Sequence, residues 1–358
     1  MFSFIIKLIK IKFIFKRPLQ KEILIYDRES LGFAELLFEK KKLEFLDTRY
    51  ESINLFVLLI AIKKYGIRNI KNNYKKIFLE TVSPKIVYTS IDNNPAFYTL
   101  KYLYKNAKYI SDQNGMRDNK FFHSCKKIKE NNKEHLIADH IFLFGKNEKK
   151  RISKIIKGNI HHLGNTKNNY YFIKNQKKSK KIKSLMFIPS GTYYKSALGH
   201  DKKIFAHLNK FCSKYKIKLS ICSRGGSSNE TFYRENFSRG KWTYIPQVNQ
   251  MSTYKKLNVQ QMVVFAHSTL GFEAFSKGIK CAVFHENFPI KDHYIKYPKS
   301  GIFWSDSKDY YDIEKTLKKV INFSNNSWGK IVKKYSSEIL IYDKKNLEKS
   351  KIINRILK

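Results

Sequence analysis

The chain has 358 residues, enough for two domains of ordinary size, and its apolar content of 42%, with 27 Phe and 23 Tyr, excludes a disordered chain. Its four cysteines, Cys125, Cys212, Cys222 and Cys281, are too scattered for a disulfide framework, and they form no CxxC pair for structural zinc. A cytoplasmic, reduced protein is therefore expected.

The net charge of +42 points first to nucleic acid. Only 10 of the 71 basic residues are Arg, however, and proteins that read bases rely on the bidentate Arg side chain. The abundance of Lys, Asn and Ile is instead typical of AT-rich codon usage. We therefore expect no specific nucleic-acid partner, although so many positive charges still attract phosphates and anionic lipid.

The first seventeen residues mix large apolar side chains with Lys7, Lys10 and Lys12, and Pro18 ends this segment. No apolar run reaches the ~20 residues that a membrane span needs, and no small-residue cleavage site of a signal peptide follows. Two interpretations stay open. The segment is either a basic amphipathic helix on the cytoplasmic leaflet of the inner membrane or a first strand or helix packed on the domain.

Short apolar runs alternate with helical patterns from Lys21 to Ile156. The predicted strands are Lys21–Asp27, Leu43–Asp47, Lys85–Ser90, Lys108–Ser111 and His140–Phe144. The predicted helices are Ser30–Phe38, Ser52–Tyr65, one near Tyr74–Val82, one from Asn94-Pro95 through Tyr104, and Asn147–Ile156. Alternation at this spacing indicates a parallel, doubly wound sheet.

The alternation stops at Asn165–Lys183, a polar, basic stretch without periodicity that predicts a linker, and then begins again. The predicted strands are Ser184–Ile188, Ile217–Cys222, Thr243–Ile245, Met262–Ala266 and Lys280–Phe284, and the predicted helices are Lys202–Tyr215, Thr253–Leu257, Thr269–Lys277 and Asp309–Phe323. From Gly329 onward the sequence is helical and highly charged.

These patterns predict an α/β protein with two Rossmann-like, doubly wound domains that face a cleft in a GT-B-like arrangement, followed by a C-terminal helical tail. The predicted boundaries are 1–18 for the basic amphipathic segment, 19–165 for an acceptor domain, 166–183 for the linker, 184–328 for a nucleotide-binding domain and 329–358 for the tail.

Ligands of open parallel sheets bind at the carboxyl ends of strands, and the residues after the strands of the second domain suit a nucleotide diphosphate. Ser268 and Thr269 begin a helix whose free N–H groups suit a phosphate, and Glu273 suits ribose hydroxyls. Gly271 allows a ligand or a neighbouring backbone to come close. Two further strand ends add hydroxyls, glycines and one Arg: Ser190, Gly191, Thr192, Arg224, Gly225 and Gly226. The alternative is an ordinary capped helix with Glu273 in solvent.

Polar residues also follow three strands of the first domain, where they could hold the hydroxyls or phosphates of an acceptor: Arg49, Asn93, Gln113, Asn114 and Gly115. Asp92 or Asp112 could act as general base on an acceptor hydroxyl. The same sequences are also ordinary turn sequences. The histidines predict no metal site, and no cofactor is expected.

Five separate motifs resemble the bacterial surface carbohydrate (O-antigen or capsule type) biosynthesis proteins. They are LDTRYESIN (Leu46–Asn54), PKIVYTSIDNNPAFY (Pro84–Tyr98), QNGMRD (Gln113–Asp118), ADHIFLFG (Ala138–Gly145) and STLGFEAFSKGIK (Ser268–Lys280). The resemblance spans most of residues 21–290. It implies a GT-B-like glycosyltransferase at the cytoplasmic face of the inner membrane, with the donor nucleotide held by Ser268, Thr269 and Glu273.

The chain is also distantly similar to the polyglycerol-phosphate polymerases and the UDP-GlcNAc 2-epimerases. The polymerases place a His-Gly pair where this chain has Asn114-Gly115, which leaves the catalytic base unassigned. The resemblance implies a metal-independent transferase with a nucleotide-activated sugar or polyol-phosphate donor and a lipid-linked saccharide acceptor. A 2-epimerase-like enzyme and a non-catalytic scaffold subunit of a polysaccharide-assembly complex are the alternatives.

Overall fold

The computed structural model of the chain describes residues 11–49, 51–117, 119–132, 135–171, 181–190, 195–223, 229–237, 240–246, 249–285 and 300–358. Contacts divide the chain into two compact units. The first unit contains the residues up to Phe144, then Glu148–Tyr170 and Asp343–Lys358. The second unit contains Gly145–Asn147 and Tyr171–Tyr342.

The first unit contains eight of the described strands and seven short to medium helices before the second unit begins. The strands are β1 (Lys12–Ile14), β2 (Ile23–Tyr26), β3 (Leu43–Leu46), β4 (Ser52–Asn54), β5 (Ile86–Thr89), β6 (Lys108–Asp112), β7 (Leu136–Leu143) and β8 (Ile156–His162). The helices are α1 (Leu31–Ala34), α2 (Leu55–Tyr65), α3 (Ile70–Val82), α4 (Leu100–Leu103), α5 (Asn119–Asn132), α6 (Lys149–Ile152) and α7 (Thr166–Tyr170).

The second unit repeats the alternation of strands and helices, and one further helix returns to the first unit. The strands are β9 (Ser184–Ile188), β10 (Lys218–Ser223), β11 (Trp242–Pro246), β12 (Met262–Phe265), β13 (Lys280–Phe284) and β14 (Trp304–Ser305). The helices are α8 (Lys195–Lys214), α9 (Asn229–Asn236), α10 (Gln250–Asn258), α11 (Thr269–Ser276), α12 (Tyr310–Asn322) and α13 (Asn325–Ile339), followed by α14 (Leu347–Leu357) of the first unit.

Each unit has a six-stranded parallel sheet with one reversal of strand order. The first sheet has the order β3-β2-β5-β6-β7-β8, so the order reverses beside β2 and β5. The second has the order β11-β10-β9-β12-β13-β14 and reverses between β9 and β12. Ligands of doubly wound sheets bind outside the carboxyl ends of the strands at this reversal. The topology therefore marks one candidate edge in each unit, and it confirms the predicted α/β class.

The core of the first unit lies on both faces of its sheet, because successive side chains of a strand point to opposite faces. Leu24 and Tyr26 of β2 enter the cluster on one face, which α2 and α3 cover. Ile23 and Ile25 enter the cluster on the other face, where Ile353 of α14 packs against them. The last helix of the chain thus completes the core of the first unit.

The predicted helix over Ser52–Tyr65 is wrong at its start. Ser52–Asn54 form β4, which pairs in parallel with β1. The helix begins at Leu55 because the Asn54 side chain caps it by accepting a hydrogen bond from the Val57 N–H.

Other predicted helices are shorter in the structure, and some elements were not predicted. The helix expected from Asn94 to Tyr104 is a 3-10 stretch, Pro95–Thr99, followed by the single turn α4. The helix expected at Asn147–Ile156 is reduced to α6, and Ile156 already belongs to β8. The elements β8, β14, α5 and α9 are additional.

The predicted linker and N-terminal segment are described only in part. Residues 166–170 form α7, where the Asn169 amide donates to Asn346 Oδ1 at 3.0 Å, whereas residues 172–180 lie outside the described residues. Residues 1–10, which carry most of the predicted amphipathic pattern, also lie outside them. Within the described ranges, no helix is both long and apolar enough to cross a membrane.

A buried ion pair attaches α14 to the first sheet. Lys349 Nζ lies 2.6 Å from Asp112 Oδ1, and both side chains are fully buried. The ammonium group also donates to the Gly164 carbonyl at 2.9 Å and to Thr166 Oγ1 at 2.7 Å. The other Asp112 oxygen accepts from the Tyr88 hydroxyl at 2.8 Å. Every donor of the ammonium group therefore has an acceptor.

Replacing Lys349 with Met should destabilise the first unit, because it leaves the Asp112 carboxylate buried without its counter-ion. We expect the free energy of opening of β6, measured by hydrogen exchange and mass spectrometry, to fall by about 3–5 kcal/mol. Lys351→Met, which removes an exposed lysine from the same helix, is the matched control and should change it little. The double variant Asp112→Asn/Lys349→Met should recover part of the loss, and equal protection in Lys349→Met and wild type would contradict this account.

Candidate functional site

A buried carboxyl group lies at the strand-order reversal of the second sheet. Ser190, two residues after β9, donates its backbone N–H to Asp201 Oδ2 at 2.8 Å and its hydroxyl to Oδ1 at 3.2 Å. Asp201 lies on α8 and is 2% exposed. Burial raises its pKa to about 7, although the two bonds from Ser190 act in the opposite direction. Asp201 therefore titrates near neutral pH and fixes the position of Ser190.

The first turn of α11 lies at the same edge, directly after β12. Ser268 occupies the N-cap position and Thr269 the first helical position, and both are half-buried. The Ser268 side chain makes no capping hydrogen bond to the described residues of the helix. The N–H groups of the first turn have no partner within the helix, so this terminus has the positive potential and the donors that an anion needs.

Gly271 serves the packing of α11. A Cβ atom at this position would lie 2.2 Å from the ring of Phe265 on β12, so only glycine allows the helix to approach the strand this closely. The sequence predicted a ligand or a neighbouring backbone close to Gly271, whereas the close neighbour in the structure is the aromatic side chain of Phe265.

Glu273 is buried, with 4% exposure, on the same helix, and does not lie in solvent. Its Oε2 accepts the hydroxyl of Tyr254 on α10 at 2.7 Å. Lys277, one turn further on, donates to the carbonyl of Tyr171. Burial lowers the pKa of Lys277 to about 8, against the attraction of Glu273. The carboxylate is thus held in a fixed position close to the first turn of α11.

The remaining predicted donor residues lie outside the described ranges: Gly191, Thr192, Arg224, Gly225 and Gly226. The strand before the second of these loops ends at Ser223, whose hydroxyl lies 3.4 Å from that of Tyr244. His200, beside Asp201, makes a 3.0 Å hydrogen bond with the Phe284 carbonyl at the end of β13. His200 and Asp201 were not among the predicted site residues, because the sequence pattern places the start of this helix at Lys202, whereas α8 begins at Lys195.

The first unit brings several predicted residues together around Arg117. Its guanidinium group binds Asp92 through two bonds, Nε to Oδ2 at 2.8 Å and Nη2 to Oδ1 at 2.6 Å. Nη2 also donates to Asn114 Oδ1 at 2.6 Å, and the Asn114 N–H donates to Asp92 Oδ1 at 3.1 Å. Asp92 is buried, whereas Asn114 and Gly115 are partly exposed, so this cluster reaches the surface through the 114–115 turn.

A second buried acid, Glu148, joins this cluster from the loop after β7. Its oxygens accept from the Gln113 amide at 2.8 Å and from the Arg117 N–H at 3.2 Å. Burial raises the pKa of Glu148 to about 8 and that of Asp92 to about 6, with Arg117 opposing both shifts. At neutral pH Glu148 therefore keeps its proton while Asp92 is largely ionised. Arg117 and Glu148 were not among the predicted site residues.

The other predicted residues of the first unit lie in different surroundings. The Asp112 oxygens bind Lys349, Tyr88 and Thr166 in the buried pair described above. Arg49 Nε donates to Asp27 Oδ2 at 3.0 Å, beside the end of β2. Asn93 is exposed next to Asp92. Among the described residues no three His, Cys, Asp or Glu are placed to hold a metal ion.

A model of one protein family matches the second half of the chain. Residues 190–357 match the family described as "putative O-antigen biosynthesis protein". This match confirms, over that half, the resemblance inferred from the sequence motifs. No curated protein sequence matches the chain.

Several solved structures are similar over nearly the whole chain. The wall teichoic acid polymerase TagF aligns with a TM-score of 0.51 and 10% identity over 95% of this chain and 89% of that one. The UDP-GlcNAc 2-epimerase from Neisseria meningitidis, bound to UDP-GlcNAc, aligns with a TM-score of 0.53 and 12% identity. The alignment covers 94% of this chain and 98% of that one. A "putative UDP-N-acetylglucosamine 2-epimerase" from Listeria monocytogenes aligns with a TM-score of 0.57 and 12% identity, over 94% of this chain and 95% of that one. At these identities the likeness shows the fold, which is GT-B-like as predicted.

The raised pKa of Asp201 should make the second unit less stable as the pH rises. The carboxyl group has a pKa of 3.8 in the unfolded chain and of about 7 in the folded protein. Its contribution to the free energy of unfolding is therefore complete below pH 3.8 and is lost as the pH rises to about 7. The loss is of the order of 4 kcal/mol for a shift of this size. Asp201→Asn should remove that part of the pH dependence.

Tryptophan fluorescence during urea unfolding at pH 4 and pH 7.5 measures this effect, since Trp242, Trp304 and Trp328 all lie in the second unit. Asp309→Asn replaces an exposed aspartate of the same unit and is the matched control. Equal pH dependence in Asp201→Asn and wild type would show that Asp201 does not titrate with a raised pKa.

Proposed function

We propose that this chain is a glycosyltransferase-like transferase of bacterial surface-polysaccharide assembly, which uses a nucleotide-activated sugar or polyol-phosphate donor. The observation that carries this proposal is the donor edge, defined as Ser190, Ser268, Thr269 and Glu273 at the reversal of strand order in the second sheet. The family match covers the same unit. A similar fold is occupied by UDP-GlcNAc in the Neisseria enzyme, which supports a nucleotide ligand here.

The chemistry of the donor edge suits a diphosphate leaving group. The first-turn N–H groups of α11 and the Ser268 and Thr269 hydroxyls are donors for phosphate oxygens. These donors are fixed before the reaction, so they would stabilise the negative charge that develops on the departing diphosphate. Glu273, held on the same helix by Tyr254, is the acceptor that we propose for the ribose hydroxyls.

For the general base we propose Asp92. Its pKa of about 6 leaves it mainly ionised at neutral pH and still basic enough to take a proton from an acceptor hydroxyl. Arg117 fixes its orientation, and Asn114 and Gly115 lie at the surface beside it. Asp112 is enclosed by Lys349, Tyr88 and Thr166, so we assign it to the stability of the fold.

A second candidate function is isomerisation of a sugar nucleotide, as in a 2-epimerase. The observation that favours it is the pair of carboxyl groups around Arg117, of which one holds its proton at neutral pH and the other does not. Removing and returning a proton needs an acid and a base with separated pKa values. Product analysis distinguishes the functions: a transferase releases nucleotide and extends a glycan, whereas an epimerase returns an isomerised sugar nucleotide or a free sugar.

We further propose that the protein works at an anionic membrane with a lipid-linked acceptor. Helix α2 is apolar around most of its circumference, yet Leu59 is 65% and Ile62 38% exposed. Phe13 and Phe15, on and beside β1, are 49% and 75% exposed. Exposed lysines flank these four side chains, which together form the α2 surface: Lys12, Lys16, Lys63 and Lys64. Apolar groups among cations suit a bilayer with anionic headgroups.

A thermal-shift screen with UDP, CDP, GDP, dTDP and CMP and their common sugars tests the proposed function. Ligand that binds the native state raises the melting temperature by mass action. A rise with one base only would support a donor site and would identify the labelled donor for activity assays. A folded sample that responds to none of them would overturn the enzymatic proposals and would favour the scaffold subunit.

Glu273→Ala should weaken binding of the nucleotide by about tenfold, because it removes the acceptor for the ribose hydroxyls. Isothermal titration calorimetry with the nucleotide from the screen measures this change. Tyr254→Phe is the matched control, since it removes only the hydroxyl that donates to Glu273 and leaves the carboxylate in place. Equal affinities in Glu273→Ala and Tyr254→Phe would assign Glu273 to packing.

The double variant Leu59→Ser/Ile62→Ser should reduce binding to vesicles that contain phosphatidylglycerol. Two lost apolar contacts with the membrane correspond to a decrease of about tenfold or more. Co-sedimentation of the full chain at two salt concentrations measures it. Val259→Ser, which changes an exposed apolar residue (67% exposed) of the second unit, is the control. Vesicle binding that is equal in the double variant and the control would exclude the α2 surface as the contact.

A further inference from the structure

Lys75 is a buried cation at the carboxyl edge of the first sheet. It lies on α3 and is 9% exposed. Its Nζ donates to the hydroxyl oxygen of Tyr26 at 3.3 Å and lies 5.5 Å from the centre of the Tyr26 ring. Among the residues that the structure describes, no carboxylate lies within 4 Å of this ammonium group. The charge is therefore buried beside a neutral phenol.

A second lysine that is buried in the described part of the chain, Lys349, has different surroundings. Lys349 has a carboxylate, a carbonyl and a hydroxyl as acceptors for its three N–H groups. Lys75 has one neutral acceptor, and the nearby Lys71 on the same helix adds repulsion. Burying a charge without a counter-ion is costly, and buried ionisable groups of this kind are concentrated at functional sites.

No carboxylate of the adjacent loop supplies the missing charge. Asp27 follows Tyr26 directly, but its oxygens accept from Arg49 Nε at 3.0 Å, from the Thr48 hydroxyl at 2.9 Å and from the Glu29 N–H at 3.1 Å. The Asn94 side chain lies close enough to the Tyr26 hydroxyl to lower the pKa of Tyr26, against the larger effect of burial, which raises it. Lys75 thus lies among polar groups whose acceptors are already occupied.

The position of Lys75 connects it with ligand binding. Tyr26 is the last residue of β2, and Asn94 follows β5. These two strands flank the reversal of strand order, the place where an open parallel sheet holds its ligand. We propose that Lys75 binds an anionic group, a phosphate or a carboxylate, of a ligand held at this edge of the first unit. If the proposed transferase function is correct, this ligand is the acceptor. Only the identification of the ligand as the acceptor rests on the proposed function.

The test compares phosphate binding by wild type, Lys75→Met and Lys71→Met, with the full chain at constant ionic strength. Inorganic phosphate should raise the melting temperature of wild type and of Lys71→Met alike, and its apparent affinity should fall about tenfold in Lys75→Met. Without phosphate, Lys75→Met should melt at a higher temperature than wild type, because the buried charge is gone. Acetate in place of phosphate distinguishes a carboxylate site from a phosphate site.

A purely structural lysine would give the opposite pattern. Lys75→Met would then melt at a lower temperature and would bind phosphate as wild type does, which would overturn the proposal. If Lys75→Met does not fold, wild-type protein is labelled with acetic anhydride with and without phosphate, and the labelling of Lys75 is measured by mass spectrometry. We expect phosphate to slow the labelling of Lys75. An equal labelling rate would overturn it as well. The nucleotide screen tests the donor edge of the second unit. A negative result at Lys75 would therefore not affect the proposed donor site.

Discussion

One buried ion pair, Lys349 with Asp112, sets the organisation of the first unit. A buried ammonium group needs a counter-ion and an acceptor for each N–H, and here Asp112 of β6, the Gly164 carbonyl before α7 and Thr166 of α7 supply them. The pair therefore fixes the position of α14 over the sheet, where Ile353 fills the core. Asn346, just before this helix, adds hydrogen bonds to Thr166 and Asn169. The last helix is thus a structural part of the first sheet.

Charge is handled differently at the two carboxyl edges of the sheets. In the first unit, Arg117 pairs with Asp92, and burial raises the pKa of the neighbouring Glu148 although Arg117 opposes that shift. In the second unit, burial raises the pKa of Asp201, and no basic side chain of the described residues contributes to this shift. Asp201 accepts its hydrogen bonds from Ser190. The first edge therefore carries the carboxyl groups that we propose for proton transfer, whereas at the second edge Asp201 binds Ser190 beside the proposed anion site. This arrangement fits the separate acceptor and donor roles that we propose for the two units.

The strands and the fold class could be predicted because buried parallel strands are continuous apolar runs. Ser184–Ile188 and Lys280–Phe284 are predicted to the residue. By contrast, β8 contains Gly158 and exposed polar residues, so it has no such run, and β4 exists only because β1 pairs with it. The site was predicted only in part for a similar reason. Arg117 and Glu148 are 31 residues apart, and sequence spacing carries no information about such contacts.

The return of α14 to the first unit has a consequence for the order in which the chain is made. The partners Asp112 and Lys349 are 237 residues apart, and the second unit ends at Tyr342, so a ribosome completes the whole of the second unit before the counter-ion of Asp112 exists. The second unit is almost continuous in sequence and can fold while synthesis goes on. The first sheet, made earlier, lacks during that time the part of its apolar covering that Ile353 of α14 supplies, beside Phe33 and Phe38. The part of the protein that is translated first is therefore the part that matures last.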